Sequence, residues 1–324
     1  MARCSFAISF ATSLLFVLLL AIPVRSALAQ QGPDQSCLAA GCHENKAGLA
    51  FTQHGAGSNP RAPAGGGATS CTACHGSNPN HASDPTKNPQ PNKFGPKAPA
   101  AAQTAVCMTC HAGNRHLAFW ESGKHQLNDV SCNACHSVHG TPGPGATMAF
   151  TAPNPTVAPY TTTMRTLEYD TCSNCHKQIR SQILKPSHHP IIEGKLKCSD
   201  CHNPHGAMSH AMVKSESVNQ LCTTCHADKR GPYMYEHPPV EENCLTCHNS
   251  HGSQHNKLLN EKVPNICQDC HDWSRHPGTA YTGSSAFPPA GNANTRFVAR
   301  ACVNCHYAIH GSNAPANRGL FFTR

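Results

Sequence analysis

The sequence predicts an irregular, loop-rich fold with short α-helices, almost no β-structure and five internal repeats, organised around bound groups rather than its own side chains. Three observations predict it. Hydrophobic residues make up 39% of the 324 and aromatic residues 6%, a poor supply for an ordinary core. Pro (26) and Gly (24) are frequent, as in loops and extended stretches. Cys (21) and His (24) are abundant, and nearly all the cysteines fall in one recurring motif.

That motif is Cys-x-x-Cys-His, the attachment signature of c-type haem. Two thiols add to the haem vinyl groups and the following His becomes the proximal ligand of the iron. The first three of nine regular copies are Cys71, Cys74 and His75, then Cys107, Cys110 and His111, then Cys132, Cys135 and His136. The next three are Cys172, Cys175 and His176, then Cys198, Cys201 and His202, then Cys222, Cys225 and His226. The last three are Cys244, Cys247 and His248, then Cys267, Cys270 and His271, then Cys302, Cys305 and His306. A tenth, expanded copy is Cys37-Leu38-Ala39-Ala40-Gly41-Cys42-His43. Together they use 20 of the 21 cysteines and leave Cys4. Zinc ribbons also pair cysteines at this spacing, and an exported chain meets disulfide-forming conditions. Neither needs a His directly after every second Cys. The implied cofactors are ten covalently bound haem c groups, and the fold class is a multihaem cytochrome c. Ten large apolar plates replace the missing side-chain core.

Residues 1–29 read as a signal peptide: Arg3 is a positive start, Leu14 to Ile22 are apolar, and Ala27-Leu28-Ala29 is a cleavage site. The domain of interest is then 30–324. Ser5 to Val24 approaches the length of an uncleaved anchor, but the Ala-x-Ala site favours removal. Haem attachment outside the cytoplasm also requires export. Leu38-Ala39-Ala40-Gly41-Cys42 looks like a lipoprotein box but lies too far past the apolar stretch. No later run is long and apolar enough to cross a membrane. The formal charge of +8 falls to +6 without Arg3 and Arg25. Each oxidised haem with two His ligands carries about −1, so the loaded protein is near −4 on counting the bound groups. The basic residues serve haem propionates, and no aromatic-interleaved basic patch suggests nucleic acid.

Ten further histidines fall at recurring places. Five spacer histidines lie 5 to 14 residues after a motif His: His54, His125, His189, His237 and His276. Five trailing histidines lie three to six residues after one: His81, His139, His205, His251 and His310. The classes alternate, so each two-haem module reads motif, spacer His, motif, trailing His. The modules run at about 37–81, 107–139, 172–205, 222–251 and 267–310. Ten motif and ten extra histidines make twenty axial ligands for ten irons. A trailing His three residues past its motif His cannot reach the opposite face of the same haem. It serves another haem, in the same or a neighbouring module. His188 competes with His189, but the recurring His-Pro pairs at 189, 237 and 276 select His189. His116, His188, His210 and His255 remain as surface or propionate-bonding residues. Methionine could also bind iron, but the His count leaves no vacancy.

Stretches 55–70, 83–101 and 140–160 read as linkers, and 278–295 as a long loop suited to meeting a partner. Met164 to Leu184 carries the best helical period, with Leu167, Cys172, Cys175, Ile179 and Ile183 on one side. A haem with two protein ligands has no open position for substrate, so the reading is an electron-transfer protein and not an enzyme. The rivals are a soluble periplasmic shuttle and a multihaem reductase with one open haem.

Outside the haem motifs the chain resembles the periplasmic decahaem cytochromes of the MtrA/DmsE type, the PioA-like proteins included. The matching stretches are Cys198-Ser-Asp-Cys-His-Asn-Pro-His-Gly206, Cys225-His-Ala-Asp-Lys-Arg-Gly-Pro232, Glu236-His-Pro-Pro-Val240, Glu242-Asn-Cys-Leu-Thr-Cys-His-Asn249 and His310-Gly-Ser-Asn313. The resemblance implies two His ligands at every haem and a staggered haem chain in an elongated body. It places the ten extra histidines named above at the family's distal positions. It implies a periplasmic location at the outer membrane, inside an outer-membrane β-barrel porin. The expected partners are an outer-surface multihaem cytochrome or terminal reductase, and a periplasmic or inner-membrane donor cytochrome, in extracellular respiration or metal or sulfoxide redox. The chain departs from the family pattern at Cys37–His43 and in linkers 83–101 and 140–160. A compact chain of this length is about 50 Å across, more than the roughly 30 Å hydrocarbon layer. Its polar surface needs a sheath there.

Overall fold

The computed structural model describes residues 37–38, 41–43, 46, 48–49, 52–56, 59–63, 70–139, 167–271, 302–304, 306–315 and 317–323. The signal segment 1–29, Cys305, His276 and the stretches 140–160 and 278–295 lie outside them. The chain divides into two compact units, Met1–Pro91 with Val138–Thr161, and Asn92–Ser137 with Thr162–Arg324.

The helices are short because most are little longer than a haem motif. Two thiols three residues apart reach one side of the backbone after a single helical turn. Helix α1 is Ser70–His75, α3 Lys124–Leu127, α4 Cys132–Cys135 and α7 Cys198–Cys201, while Cys244–Thr246 and Cys302–Asn304 make single 3₁₀ turns. The longest among the described residues, α2 at Ala100–His111, follows Pro99 and opens on three alanines, strong helix formers. Buried Gln103 ties it to the preceding linker: its Oε1 accepts from Gly95 N–H at 2.9 Å, and its Nε2 donates to Ala98 at 2.7 Å.

The single helix expected over 164–184 is two among the described residues: α5 at Glu168–Ser173 and α6 at Lys177–Ile183. The break is His176, whose φ of −83° and ψ of 61° lie outside the helical region. The motif His has to leave the helix to aim its ring. Ile183 is buried as the period predicts, but Leu167 is 70% exposed.

Within a pair of motifs, side chains clamp the two turns together. The Glu168 carboxylate of α5 accepts from Ser199 N–H at 2.6 Å and Ser199 Oγ at 2.9 Å. Asn219 of α8 (Val218–Thr223) donates to Val240 and Glu241 of α9 (Pro238–Glu242), and accepts from Cys244 N–H at 2.8 Å. Helix α8 begins on a Ser217/Gln220 capping box, and α9 has Pro at its first position behind His237.

Strand structure among the described residues is confined to isolated bridges, Ser187 with Ser253, His202 with Val213, Tyr235 with Ser312 and His248 with Leu259. The buried hydrophobic residues are Leu49, Ala62, Trp120 and Ile183, while Met208, Leu127 and Met234 stand exposed. Among the described residues there is almost no side-chain core, as expected of a polypeptide folded on haem.

Candidate haem centres

Each motif closes on itself in the same way. In regular copies the motif His N–H donates to the carbonyl of the first Cys, at 2.9 to 3.1 Å for His136, His176, His202, His226, His248, His271 and His306. The expanded copy makes the same bond: His43 N–H donates to Cys37 at 3.1 Å. Gly41, at φ +82°, lies in the enlarged turn, a left-handed conformation that suits glycine. The expanded copy therefore ends as the regular ones do.

The histidine rings then meet in pairs. Ring centroids lie 6.0 to 6.4 Å apart for His43–His81, His75–His139, His125–His176, His136–His205, His189–His226, His202–His251, His237–His271 and His248–His310. Every pair joins one motif His to one spacer or trailing His. A metal–imidazole bond of about 2.0 Å, with the ring centre about 1.1 Å further back, puts two imidazoles on one metal about 6.2 Å apart. The spacing is therefore that of two axial ligands with room for an iron between them. Van der Waals stacking would bring the rings much closer. His54 sits in the 3₁₀ turn Gln53–Gly55, His111 ends α2, and His306 bonds Phe321 O through Nδ1 at 2.6 Å.

The pairs follow a rule that the modules conceal. A trailing His faces the second motif of the preceding module: His139 meets His75, His205 meets His136, His251 meets His202 and His310 meets His248. A spacer His faces the first motif of the following module: His125 meets His176, His189 meets His226 and His237 meets His271. Modules are interleaved rather than self-contained. The end pair His43–His81 lies within its own module.

A backbone interlock enforces the rule. The carbonyl just before a trailing His accepts from Nδ1 of the previous module's spacer His. The bonds are Pro204 to His125 at 2.7 Å, Ser250 to His189 at 2.8 Å and Ile309 to His237 at 3.1 Å. The flanking bridges Ser187–Ser253 and Tyr235–Ser312 are part of the same contact. Holding Nδ1 fixes the ring and leaves Nε2 for a metal. Motif histidines are anchored likewise, His202 on Ala211 at 2.9 Å and His248 on Lys257 at 2.8 Å.

Two residue types in this interlock were not singled out from sequence. Asn203 Oδ1 accepts from His205 N–H at 3.2 Å, and Asn249 Oδ1 from His251 N–H at 3.1 Å, turning the chain so that the trailing His points back. The glycines after His205, His251 and His310 lie where the chains touch. A Cβ on Gly206 would stand 2.2 Å from Phe119 O, on Gly252 2.1 Å from Gln182 O, and on Gly311 2.1 Å from the Tyr233 ring. All three have positive φ. The recurrent Asn and His-Gly letters were the available signal.

Burial holds His205, His237, His251 and His310 below the ordinary imidazole pKa, with neighbouring rings adding to the effect. The neutral ring offers the lone pair that a metal needs. His188 is committed elsewhere: Nδ1 bonds Lys185 O and Nε2 bonds Glu193 at 3.0 Å. Its neighbour His189 takes the pairing position with His226.

The thiols track the same order. The first cysteines of paired motifs lie within hydrogen-bonding reach: Cys107 with Cys132, Cys172 with Cys198, Cys222 with Cys244 and Cys267 with Cys302. Between pairs, Cys135 lies in electrostatic range of Cys172, Cys201 of Cys225, and Cys247 of Cys270. From Cys107 onward the attachment sites are neighbours in sequence order. The second thiols of the two earliest regular motifs sit on helices. Cys74 lies in α1, half-buried like Cys71, and Cys110 lies in α2, exposed, with Thr109 Oγ1 donating to its Sγ at 3.8 Å. Neither Cys74 nor Cys110 is tied into a disulfide.

Haem c fits these residues on three counts: ring spacing, open thiols and an orphaned polar group. Trp120 is 6% exposed, yet its Nε1–H has no acceptor among the described residues, and its ring edges His205 at 6.2 Å. A haem propionate can supply that acceptor.

Comparison with known proteins agrees. The family described as "Doubled CXXCH motif" matches residues 188–231 and 237–276, and "Cytochrome c-type protein NrfB-like" matches 71–152. Multiheme cytochrome MtrA of Shewanella baltica (strain OS185) is 36% identical over 201 residues, 62% of this chain and 55% of that protein. The chain thus spans about half the length of this curated relative.

Proposed function

We propose that this multihaem c-type cytochrome is a periplasmic relay that carries electrons across the outer membrane inside a β-barrel partner. Ten haem c groups, each with one motif and one spacer or trailing His, supply the one-electron ferric/ferrous couple when bound. The observation that carries the reading is the set of eight histidine pairs at iron-spanning distance. His54, His111, His276 and His306 complete the ligand count. With both axial positions taken by protein, the chain conducts rather than binds substrate.

The protein residues set conditions for that relay. From Cys107 onward, cysteines of successive motifs lie within electrostatic range of one another, and the carbonyl anchors on Nδ1 hold the rings still as charge changes. Among the described residues no helix is long and apolar enough to cross a membrane. Irregular backbone would be left unsatisfied in hydrocarbon, so a closed barrel is the sheath that fits. Similarity to MtrA supports the outer-membrane placement.

The test is co-reconstitution of the cytochrome and its barrel in liposomes holding a trapped redox dye, with reductant outside. The dye should change only with both proteins present. Transfer by the cytochrome alone would remove the sheath. Absence of transfer with the barrel would favour a soluble shuttle, and a high-spin haem at one per protein would favour a reductase.

A further inference from the structure

The paired rings differ in one respect that their spacing hides. In six pairs the planes lie within 23° of parallel: 6° for His43–His81, 18° for His75–His139, 23° for His136–His205, 15° for His202–His251, 21° for His237–His271 and 13° for His248–His310. His125–His176 stands at 79° and His189–His226 at 49°.

Both exceptions belong to the spacer class, and the rings are held. His125 is pinned through Nδ1 by Pro204 O at 2.7 Å, and His189 by Ser250 O at 2.8 Å. Across the gap, His176 and His226 leave their motifs at ψ 61° and 54°, whereas His136 and His202 leave theirs at ψ 148°. The two motif classes therefore present their rings from different backbone conformations.

We propose that His125 and His176 cross above and below the haem attached at Cys172 and Cys175, and make it electronically distinct from those of the six near-parallel pairs. The inference rests on the two-His reading of that site. Parallel imidazoles donate π density to the same iron d orbital and split it from its partner. Crossed imidazoles donate to both, leave them nearly degenerate and stabilise the ferric state less. The site has two spectroscopic consequences: an electron paramagnetic resonance signal with a large maximal g value, and a potential above that of a parallel pair with the same ligands. It lies fifth of the ten attachment sites in sequence order, so the step falls within the relay rather than at an end. His189–His226, half-crossed, gives an intermediate signal. Pro204 acts as a positioning residue through its carbonyl.

The test is low-temperature electron paramagnetic resonance of the fully oxidised, haem-loaded protein, with spin quantitation. The expected result is that all haems are low-spin and that a large-g signal is present, of which the Cys172/Cys175 haem supplies a share of about one-tenth of the total intensity. His125→Met should remove that signal, and His237→Met, from a 21° pair of the same class, should leave it. Low-spin haems without any large-g signal overturn the crossing while leaving two-His ligation intact. A high-spin haem in the unmutated protein overturns the ligation reading itself. If His125→Met does not assemble, the pairing is tested through His176→Met together with His189→Met and His237→Met: loss of the large-g signal in His176→Met alone upholds the assignment, and its loss in either of the other two overturns it.

Discussion

The segments that carry trailing histidines and those that carry spacer histidines solve the same problem differently. Residues 198–214 and 244–260 are near copies. In both, the motif His bonds a carbonyl nine residues on, the next Asn N–H donates to Met212 or Leu258, and the chain returns to Cys201 or Cys247 through Lys214 or Asn260. In both, two consecutive residues, Ala211–Met212 and Lys257–Leu258, take positive φ. Four trailing pairs share planes within 13° to 23°. The spacer histidines take their orientation from a carbonyl 61 to 79 residues away. Their angles run from 79° to 49° to 21° along the chain. A ring held by its own turn repeats faithfully; a ring held by a distant strand varies with the contact.

The contrast breaks most severely at the shared contact. Gly252→Ala should place Cβ against Gln182 O and force a left-handed residue with a side chain, costing about 2 kcal/mol or more. Gly206→Ala should do the same against Phe119 O. Urea midpoints of the loaded protein should fall in both. Gly113→Ala, with open space around it, should not move the midpoint. Equal midpoints for all three would mean that the interlock does not hold the fold together.

A smaller, more selective effect is expected from His205→Met. Attachment at Cys132 and Cys135 is untouched, so the number of covalent haems should stay at ten. One haem, that of His136, should rise in potential because thioether ligation favours ferrous iron. A redox titration unchanged from the parent would remove His205 from the ligand set.

Asn203→Ala probes the turn alone. Losing its bonds to His205 N–H and Gly206 O should cost about 1 kcal/mol, read as a modest midpoint shift with the potentials in place. A shift as large as that of Gly206→Ala would show that the Asn turn carries the interlock.

The smallest effect concerns Cys37–His43. Because His43 N–H already reaches Cys37 O, deleting Ala39 and Ala40 should leave the intact mass at ten haems. Nine haems in the unmutated protein would mean that the expanded motif is not an attachment site.

Sequence alone pointed to haem c and offered twenty candidate cysteines and two classes of extra histidine. Thioether attachment depends on two thiols and a His within one turn, and spacing along the chain expresses that directly. The near absence of strand was legible too, since a chain this poor in apolar residues cannot build a sheeted core. The apolar period over 164–184 reads as a single helix because it does not register that His176 must leave the helix to aim its ring. His188 and His189 were separable by letters only through the following Pro. Both nitrogens of His188 proved to be used by Lys185 O and Glu193.

Partner choice needed the tertiary structure. Which trailing His meets which motif His depends on carbonyls such as Pro204, Ser250 and Ile309 arriving from the next module. The angle between two rings depends on both backbones at once. Covalent attachment is local chemistry, written in consecutive residues. Ring pairing is a contact between residues as far apart as His139 and His75, and only the folded chain brings them to 6.0 Å.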